Sequence, residues 1–320
     1  MAEPIVKIEN LIVEYPSHYG MVQAVDVPWL EIRKGEVLGL VGESGCGKST
    51  LGMALLRMVR DPGHIAGGHI WFDERDLVSL TEREMRDVRG RRISMIFQDP
   101  MTSLDPLQRI ENHLIEAIRV HEPQTTRAAA YGRIVELTDR LGIQSRRLPD
   151  YPHQFSGGMR QRIMIGLALA LNAELIIADE PTTSLDVVVE AQFLDLLKEL
   201  QRSLKLTILL ITHNIGIVSE LSDRVAVMYA GRLVELAETL PFFEEPLHPY
   251  TQDLLASVPN IELDDDQLRI MDGVPPNLID PPTGCRFHPR CRHAQSRCSR
   301  QNPPLQEVAP GHWVACWRDE

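Results

Sequence analysis

The sequence predicts an α/β protein built around a largely parallel sheet. Short apolar runs rich in valine and isoleucine alternate along the chain with longer segments whose apolar residues recur every three or four positions. The first pattern is typical of buried strands and the second of amphipathic helices. A glycine-rich segment also stands between one such strand and one such helix. In open sheets of this class, ligands bind at the carboxyl ends of the strands.

The individual elements follow from these patterns in chain order. Strands are predicted at 5–13, 36–41, 93–97, 175–179, 207–212 and 225–229. Helices are predicted at 48–59, 108–120, 127–141, 159–171 and 188–203, with a short one at 250–258. The stretch 98–155 contains no convincing strand, so we expect a helical insertion there. The prolines of 272–284 prevent a helix and predict an extended linker.

Composition limits the classes of function. The 320 residues include 33 basic and 45 acidic side chains, which give a formal charge of -12. No chain-wide positive field exists to hold nucleic acid, so we expect no nucleic-acid partner. The N-terminus lacks the basic and apolar regions of a signal peptide, and the longest apolar run, 163–171, is too short to span a bilayer. We therefore expect a cytosolic, reducing environment.

The glycine-rich segment fits the phosphate-loop pattern G-x-x-x-x-G-K-[ST]. Its small residues let consecutive backbone N–H groups curl around phosphate oxygens, and the following helix adds its partial positive charge. Lys48 is expected to reach the β- and γ-phosphates of a nucleotide, and Ser49 to offer its hydroxyl to Mg²⁺. The predicted nucleotide contacts are Gly42, Ser44, Gly45, Cys46, Gly47, Lys48, Ser49 and Thr50. Cys46 is interpreted as an inert small residue, with oxidation sensitivity of the loop as the alternative.

Two carboxylates follow the apolar strand at 175–179. A buried strand can deliver an acid to a phosphate site at its carboxyl end. Asp179 would hold Mg²⁺ through water, and Glu180 would polarise an attacking water. The alternative is an acidic pair that only caps a turn, which the phosphate loop in the same chain disfavours.

Several further motifs resemble those of the ABC ATPases. They are Ser156-Gly157-Gly158-Met159 for the signature motif, Gln98 for the Q-loop, Ser184-Leu185-Asp186 for the D-loop and His213 for the switch histidine. Together with the phosphate loop and the Asp179 strand, they occur in the family's order over roughly residues 5–235. The resemblance implies a P-loop fold with a RecA-like core, an N-terminal antiparallel β subdomain and a helical subdomain.

The same resemblance implies two subunits that sandwich two ATP molecules, each between one phosphate loop and the opposing signature. Ser156, Gly157, Gly158 and Asp186 would then contact nucleotide across the dimer. Gln98 would contact Mg²⁺ and His213 the γ-phosphate, and with Glu180 present we expect a hydrolytically competent site.

An adenine contact is also expected near the N-terminus. Tyr15, expected in a loop after the first strand, is the candidate for stacking on the base. Tyr19 and a purely superficial aromatic role are the alternatives.

The C-terminal region resembles the extension of ATPase subunits from oligopeptide and dipeptide importers, a family that also handles nickel and some sugars. This resemblance rests on His248-Pro249-Tyr250-Thr251-Gln252, the proline-rich linker and the segment 284–317, where the cysteines are Cys285, Cys291, Cys298 and Cys316. Four thiolates within 32 residues can close one metal site. The resemblance favours a [4Fe-4S] cluster, with Zn²⁺ and disulfides as alternatives.

Five arginines flank these cysteines. More than one role is possible for the arginines and for the metal site. The arginines are Arg286, Arg290, Arg292, Arg297 and Arg300. We interpret them as offsetting the negative charge of a thiolate-bound metal, with a solvated basic face as the alternative. The metal site itself would be structural, a docking surface or redox-sensitive.

These observations together predict an organisation and a function. We expect an ABC ATPase domain at 1–240 with its helical subdomain at about 98–160, a helix and linker at 241–284, and a small irregular metal-binding domain at 285–320. The resemblance implies an ATP-hydrolysing, energy-coupling subunit of an importer for di- or oligopeptides. Import of nickel or an oligosaccharide, and a soluble ABC ATPase outside transport, are the alternatives.

The resemblance also implies partners and a location. The partners would be a paralogous ATPase subunit in a heterodimer, two membrane-spanning permease subunits and an extracytoplasmic solute-binding protein. The chain would act at the cytoplasmic face of the inner membrane, bound through the permeases. The transported molecule cannot be read from this chain, because the binding protein and the permeases select it.

Overall fold

The structure is a computed structural model that describes residues 3–98, 103–183, 185–257 and 271–319. The chain forms two compact units, one of Met1–Ser79 with Leu210–Glu320 and the other of Leu80–Leu209. We call them the first and the second unit. No helix in the described part of the chain is long and apolar enough to cross a membrane.

The first unit contains an antiparallel sheet in the order β2-β1-β4-β5. Its strands are β1 (Pro4–Ser17), β2 (Gly20–Arg33), β4 (His64–Phe72) and β5 (Arg75–Asp76). In β1, Val6 and Ile8 are fully buried, as are Leu11 and Val13 after an irregularity in the pairing with β4, so one face of the sheet packs on a core. The predicted antiparallel N-terminal subdomain is present, although only β1 was predicted as a strand.

The remaining strands of the first unit form a mixed sheet. In it β3 (Val37–Val41) lies parallel to β9 (Arg224–Tyr229), and β9 forms a hairpin with β10 (Arg232–Glu238). From the C-terminal region, β12 (His312–Val314) pairs with β10, and β11 (Gln306–Ala309) pairs with β12. The C-terminal segment therefore extends a sheet of the first unit and belongs to the same compact body.

Of the helices that the structure describes in the first unit, the sequence pattern predicted only the first and the last. The helices are α1 (Lys48–Leu55), α7 (Ile215–Leu221), α8 (Thr239–Glu244) and α9 (Pro249–Ala256). The first was expected to continue to residue 59, but Arg57 takes a positive φ of 49°, which an α-helix cannot contain. The last helix was expected to end at residue 258, which lies outside the described residues.

The second unit combines two parallel strands with several helices. The strands are β6 (Ile93–Ile96) and β7 (Leu175–Asp179), and β8 (Thr207–Ile211) carries the chain from this unit into the first. The helices are α2 (Glu82–Val88), α3 (Ile110–His121), α4 (Arg127–Arg140), α5 (Gly157–Leu169) and α6 (Val187–Leu204). Between 98 and 155 the described residues contain the helices α3 and α4 and no strand.

Candidate nucleotide-binding site

Three glycines shape the segment between β3 and α1. Gly42, Gly45 and Gly47 have φ values of 151°, 80° and 103°. A Cβ on Gly42 would lie 2.1 Å from the carbonyl oxygen of Met228, and one on Gly47 would lie 2.3 Å from that of Ala24. Larger residues are therefore excluded at both ends of the loop. No side chain caps the start of α1, as expected where a helix N-terminus serves an anion.

Lys48 folds back over this loop. Its side chain is buried, and its Nζ donates hydrogen bonds to the carbonyl oxygens of Gly42 (2.8 Å) and Glu43 (3.0 Å). Cys46 is also buried, and burial raises the pKa of its thiol, although nearby Lys48 acts in the opposite direction. Because the thiolate is the reactive form of cysteine, these surroundings favour the inert interpretation of Cys46.

His213 follows β8 at an exposed position in the first unit. The backbone N–H of the preceding residue, Thr212, donates to the carbonyl oxygen of Leu40 (3.2 Å). Leu40 lies in β3, two residues before Gly42. The segment leading to His213 thus runs beside the strand that enters the phosphate loop.

In the second unit, Asp179 ends β7 and Glu180 follows it directly. Asp179 is buried, and Glu180 takes a positive φ of 46°. The Glu180 carboxylate accepts hydrogen bonds at Oε2 from Gln98 Nε2 (2.9 Å) and Thr183 Oγ1 (3.1 Å). Two residues with predicted roles, Gln98 and Glu180, are therefore in direct contact. Thr183 was missed, because a threonine three residues after a glutamate carries no distinctive pattern.

The signature segment begins α5. Ser156 caps the helix by accepting a hydrogen bond from the backbone N–H of Met159 (3.4 Å). A Cβ on Gly158 would lie 2.3 Å from Cγ1 of Val189 in α6, whereas one on Gly157 would make only an ordinary contact at 3.8 Å with Leu185. Packing alone thus requires glycine at position 158 but not at 157.

Asp186, the predicted D-loop contact, has a structural role in this chain. Its side chain caps α6 by accepting a hydrogen bond from the backbone N–H of Val189 (3.0 Å). Ser184 of the same motif lies outside the described residues.

The expectation that Tyr15 lies in a loop is wrong. It lies within β1, which runs on to Ser17, and it pairs with Val22 of β2. Its ring packs closely against Gly63, where an added Cβ would lie 2.3 Å from Tyr15 Cε1. Tyr19, the alternative, lies at the β1–β2 turn and is 88% exposed.

The four C-terminal cysteines are free thiols that line one small pocket. Burial raises the pKa of Cys285 to about 11, and the other three cysteines add to the shift. The four side chains therefore influence one another electrostatically. Among the described residues, however, no three His, Cys, Asp or Glu side chains are placed to hold one metal ion.

Two of the flanking arginines bind groups outside the cysteine segment. The buried Arg286 donates to the carbonyl oxygen of Ala230 and to the side chain of Gln23. Arg290 pairs with Glu43 of the phosphate loop. These two guanidiniums bind groups elsewhere in the first unit, and because they are buried they do not form a solvated face.

Two of the other flanking arginines also contact partners in the first unit. Arg292 lies 3.4 Å from a carboxylate oxygen of Asp253, and the Arg297 guanidinium stacks 3.5 Å over the ring centre of Trp317.

Comparison with known proteins first defines the class. A family model described as "ABC transporter" matches residues 26–183, and one described as "Oligopeptide/dipeptide transporter, C-terminal region" matches residues 234–298. The fold resembles a solved bacterial ABC transporter cassette, MJ0796, at a TM-score of 0.64, with 26% identity over 73% of this chain and 98% of that chain. It also resembles cbiO1 of Clostridium perfringens at a TM-score of 0.65, with 27% identity over 76% of this chain and 92% of that chain. The chain has the fold of an ABC transporter ATPase.

Full-length relatives then define the family. The chain is 43% identical to the oligopeptide transport ATP-binding protein OppD of Bacillus subtilis, over 98% of this chain and 88% of the relative. Identity is also 43% to the dipeptide transport ATP-binding protein DppD of Bacillus subtilis, over 98% and 95% of the two chains. The OppD protein of Salmonella typhimurium is 42% identical over 99% and 94%. The chain belongs to the OppD/DppD family of ABC transporter ATP-binding subunits.

Proposed function

We propose that this protein hydrolyses ATP to drive import of di- or oligopeptides through a membrane complex. The observation that carries the proposal is the resemblance, over nearly the whole chain, to subunits of oligopeptide and dipeptide transporters. The buried Lys48 and the glycine-restricted loop support an intact phosphate site in this chain.

ATP binding is assigned to the loop 42–49 and the start of α1. Backbone N–H groups of the loop surround the phosphates, and the Lys48 ammonium, which already faces into the loop, neutralises the β- and γ-phosphate charge. Ser49, Asp179 and Gln98 are the proposed residues around Mg²⁺, which when bound would neutralise phosphate charge. Tyr15, a partly exposed residue of β1, remains the proposed adenine contact.

Hydrolysis is assigned to Glu180. Its carboxylate accepts hydrogen bonds from Gln98 and Thr183, which hold it in one orientation. A general base needs such a fixed orientation to accept a proton from one positioned water. His213 is the proposed γ-phosphate contact.

The paired arrangement of subunits is also part of the proposal. The N–H groups of Gly157 and Gly158 at the start of α5 suit a γ-phosphate bound by a second subunit. Ser156 and Asp186 of this chain would complete that contact. We propose a heterodimer with a paralogous ATPase, two permeases that receive the motion, and an extracytoplasmic binding protein at the far side of the inner membrane.

A [4Fe-4S] cluster is proposed for the pocket of Cys285, Cys291, Cys298 and Cys316. Four free thiols around one pocket are a suitable donor set. Zn²⁺ held by the same four thiols is the alternative. When bound, the cluster would cross-link the four cysteine positions of the segment. A brown protein with broad absorption near roughly 400 nm after anaerobic purification would support it; a colourless protein with one equivalent of zinc would refute it.

The catalytic assignment is tested in a reconstituted complex whose paralogous partner cannot hydrolyse ATP. Glu180→Gln should lower the rate by about a hundredfold or more, because a positioned base contributes on that order. Glu199→Gln, an exposed position in α6, is the matched control and should leave the rate unchanged. Wild-type hydrolysis by Glu180→Gln would refute the assignment.

The cargo is tested separately. The intact complex would be isolated with its binding protein, and the bound molecule identified by mass spectrometry. Di- or oligopeptides that also stimulate ATP hydrolysis would support the proposal. A nickel chelate or an oligosaccharide would refute the cargo while leaving the ATPase assignment intact.

A further inference from the structure

The second residue of the phosphate loop, Glu43, is held by a residue from the cysteine segment. Arg290 NH1 lies 2.8 Å from Glu43 Oε2, and Arg290 NH2 lies 3.0 Å from Oε1. The arginine side chain is only 6% exposed and the glutamate side chain 26% exposed. Two parallel hydrogen bonds between a guanidinium and a carboxylate fix orientation as well as distance. This pairing joins positions that are 247 residues apart in the sequence.

The backbone of Glu43 is held as well. Its N–H donates a hydrogen bond to the hydroxyl of Tyr250 (2.8 Å), which lies in α9. Tyr250 is fully buried, and burial raises the pKa of its hydroxyl far above the ordinary value. The hydroxyl therefore stays neutral and keeps accepting this hydrogen bond throughout the physiological pH range.

An aromatic cluster fixes both of these contacts. The ring of Tyr229 lies 4.6 Å from that of Tyr250 and 5.1 Å from that of Phe287. The Tyr229 hydroxyl also accepts a hydrogen bond from Arg290 NH1 (3.3 Å). Phe287 and Arg290 both lie between Cys285 and Cys291. The loop bounded by these two cysteines thus contributes a ring to the cluster and a guanidinium to Glu43.

A second connection reaches the other end of the phosphate loop. Arg286, from the same cysteine-bounded loop, donates to the carbonyl oxygen of Ala230 in the β9–β10 turn. The N–H of Gly231, the next residue in that turn, donates to the carbonyl oxygen of Cys46 (2.8 Å). The cysteine-bounded loop therefore contacts the phosphate loop directly at Glu43 and through one turn at Cys46.

We propose that Arg290 and Tyr250 are positioning residues for ATP, which hold Glu43 and thereby keep the phosphate loop in its binding conformation. The inference rests on the proposed ATP site at 42–49. A loop with three glycines at positive φ has many alternative conformations, and each conformation that cannot bind lowers the apparent affinity in proportion to its population. Contacts that exclude those conformations raise affinity without touching the nucleotide.

The test measures ATP affinity of the purified full-length chain by titration calorimetry, beside its melting temperature. Arg290→Met should weaken ATP binding roughly tenfold, as expected if the loop is competent about a tenth of the time. Arg290→Lys, which keeps the charge but not the paired hydrogen bonds, should recover part of the loss. Arg300→Met, at an exposed position of the same segment, should change neither quantity.

A double-mutant cycle separates positioning from general stability. Glu43→Gln breaks the same contact from the loop side and removes no side chain from the core. It therefore tests the proposal even if Arg290→Met folds poorly. The double variant should bind ATP no more weakly than Arg290→Met alone, because both substitutions break the same contact. Fully additive losses would refute the proposal. So would an Arg290→Met or Glu43→Gln chain that binds ATP within twofold of the wild type.

Failure of the underlying ATP site would be recognised separately. Lys48→Ala should abolish ATP binding whether or not Arg290 matters. If Lys48→Ala binds as the wild type does, then the assigned site is wrong and the positioning role falls with it. If Lys48→Ala loses ATP while the variants at Arg290 and Glu43 keep it, then only the positioning role is refuted.

Discussion

Replacement of Glu235 by glutamine is expected to loosen the attachment of the C-terminal segment. Glu235 lies in β10 and is fully buried. Its Oε1 accepts hydrogen bonds from the N–H of Leu247 (2.8 Å) and contacts His312 Nε2 at 2.7 Å, while its Oε2 accepts from the N–H of His248 (2.9 Å). The carboxylate thus joins the start of α9 and the strand β12 to the core sheet.

The magnitude follows from the number of donors left without an acceptor. A glutamine offers one oxygen and one NH₂ group, so in either orientation at least one of the three partners faces another donor. An unsatisfied buried donor costs about 1–3 kcal/mol, and removal of the negative charge weakens the remaining contacts. We therefore expect Glu235→Gln to lower the free energy of unfolding by about 2–4 kcal/mol.

The assay is urea unfolding of the full-length chain, followed by circular dichroism. Glu238→Gln is the matched control, since Glu238 ends the same strand at an exposed position. The control should change the free energy of unfolding by less than about 0.5 kcal/mol. If Glu235→Gln is as stable as the control, the carboxylate does not connect these elements and the reasoning fails.

Three further predictions follow from individual contacts. Gly158→Ala should abolish ATP hydrolysis by the reconstituted complex, because the alanine Cβ would lie 2.3 Å from Val189 Cγ1. Adding Val189→Ala should restore much of the rate, and a double variant without activity would refute the steric explanation. Thr183→Val should lower kcat about three- to tenfold with ATP affinity unchanged, because Glu180 loses one orienting hydrogen bond; an unchanged kcat would contradict this. Burial lowers the pKa of His248 to about 4, so as the pH falls the imidazole is protonated in the unfolded chain before it is protonated in the folded one. The free energy of unfolding should therefore fall by about 3 kcal/mol between pH 6.5 and 4. A His248→Gln chain should lack this part of the pH dependence, and an equal fall in both chains would refute the prediction.

Local sequence patterns were sufficient for the elements around the phosphate loop. The strand β3 is buried at every position and reads as one apolar run, and α1 starts at Lys48 as predicted. In contrast, β4 contains two adjacent glycines and two histidines, and it is a strand because β1 and β5 pair with it on either side. Tertiary pairing overrides weak strand propensity in such cases.

Predictions about residue roles divide in the same way. Gln98 and Glu180 were assigned to one reaction from motif order, and they are hydrogen-bonded. The alternative of a solvated basic face was wrong for Arg286 and Arg290, whose contacts could not be inferred from the neighbouring cysteines in the sequence. Their actual partners, Gln23, Ala230 and Glu43, are distant in sequence, and no local pattern records such contacts.

The attachment of the cysteine segment explains how a peripheral region can affect nucleotide binding. Several contacts anchor it within the first unit, among them the pairing of β12 with β10, the contact of Glu235 with His312 and the ion pair of Arg290 with Glu43. Of these three, the first two fix the position of the segment and the last reaches the phosphate loop. A change that moves the loop between Cys285 and Cys291 would therefore alter ATP affinity before it unfolds the segment, because the strand pairing and the buried carboxylate would still hold it in place.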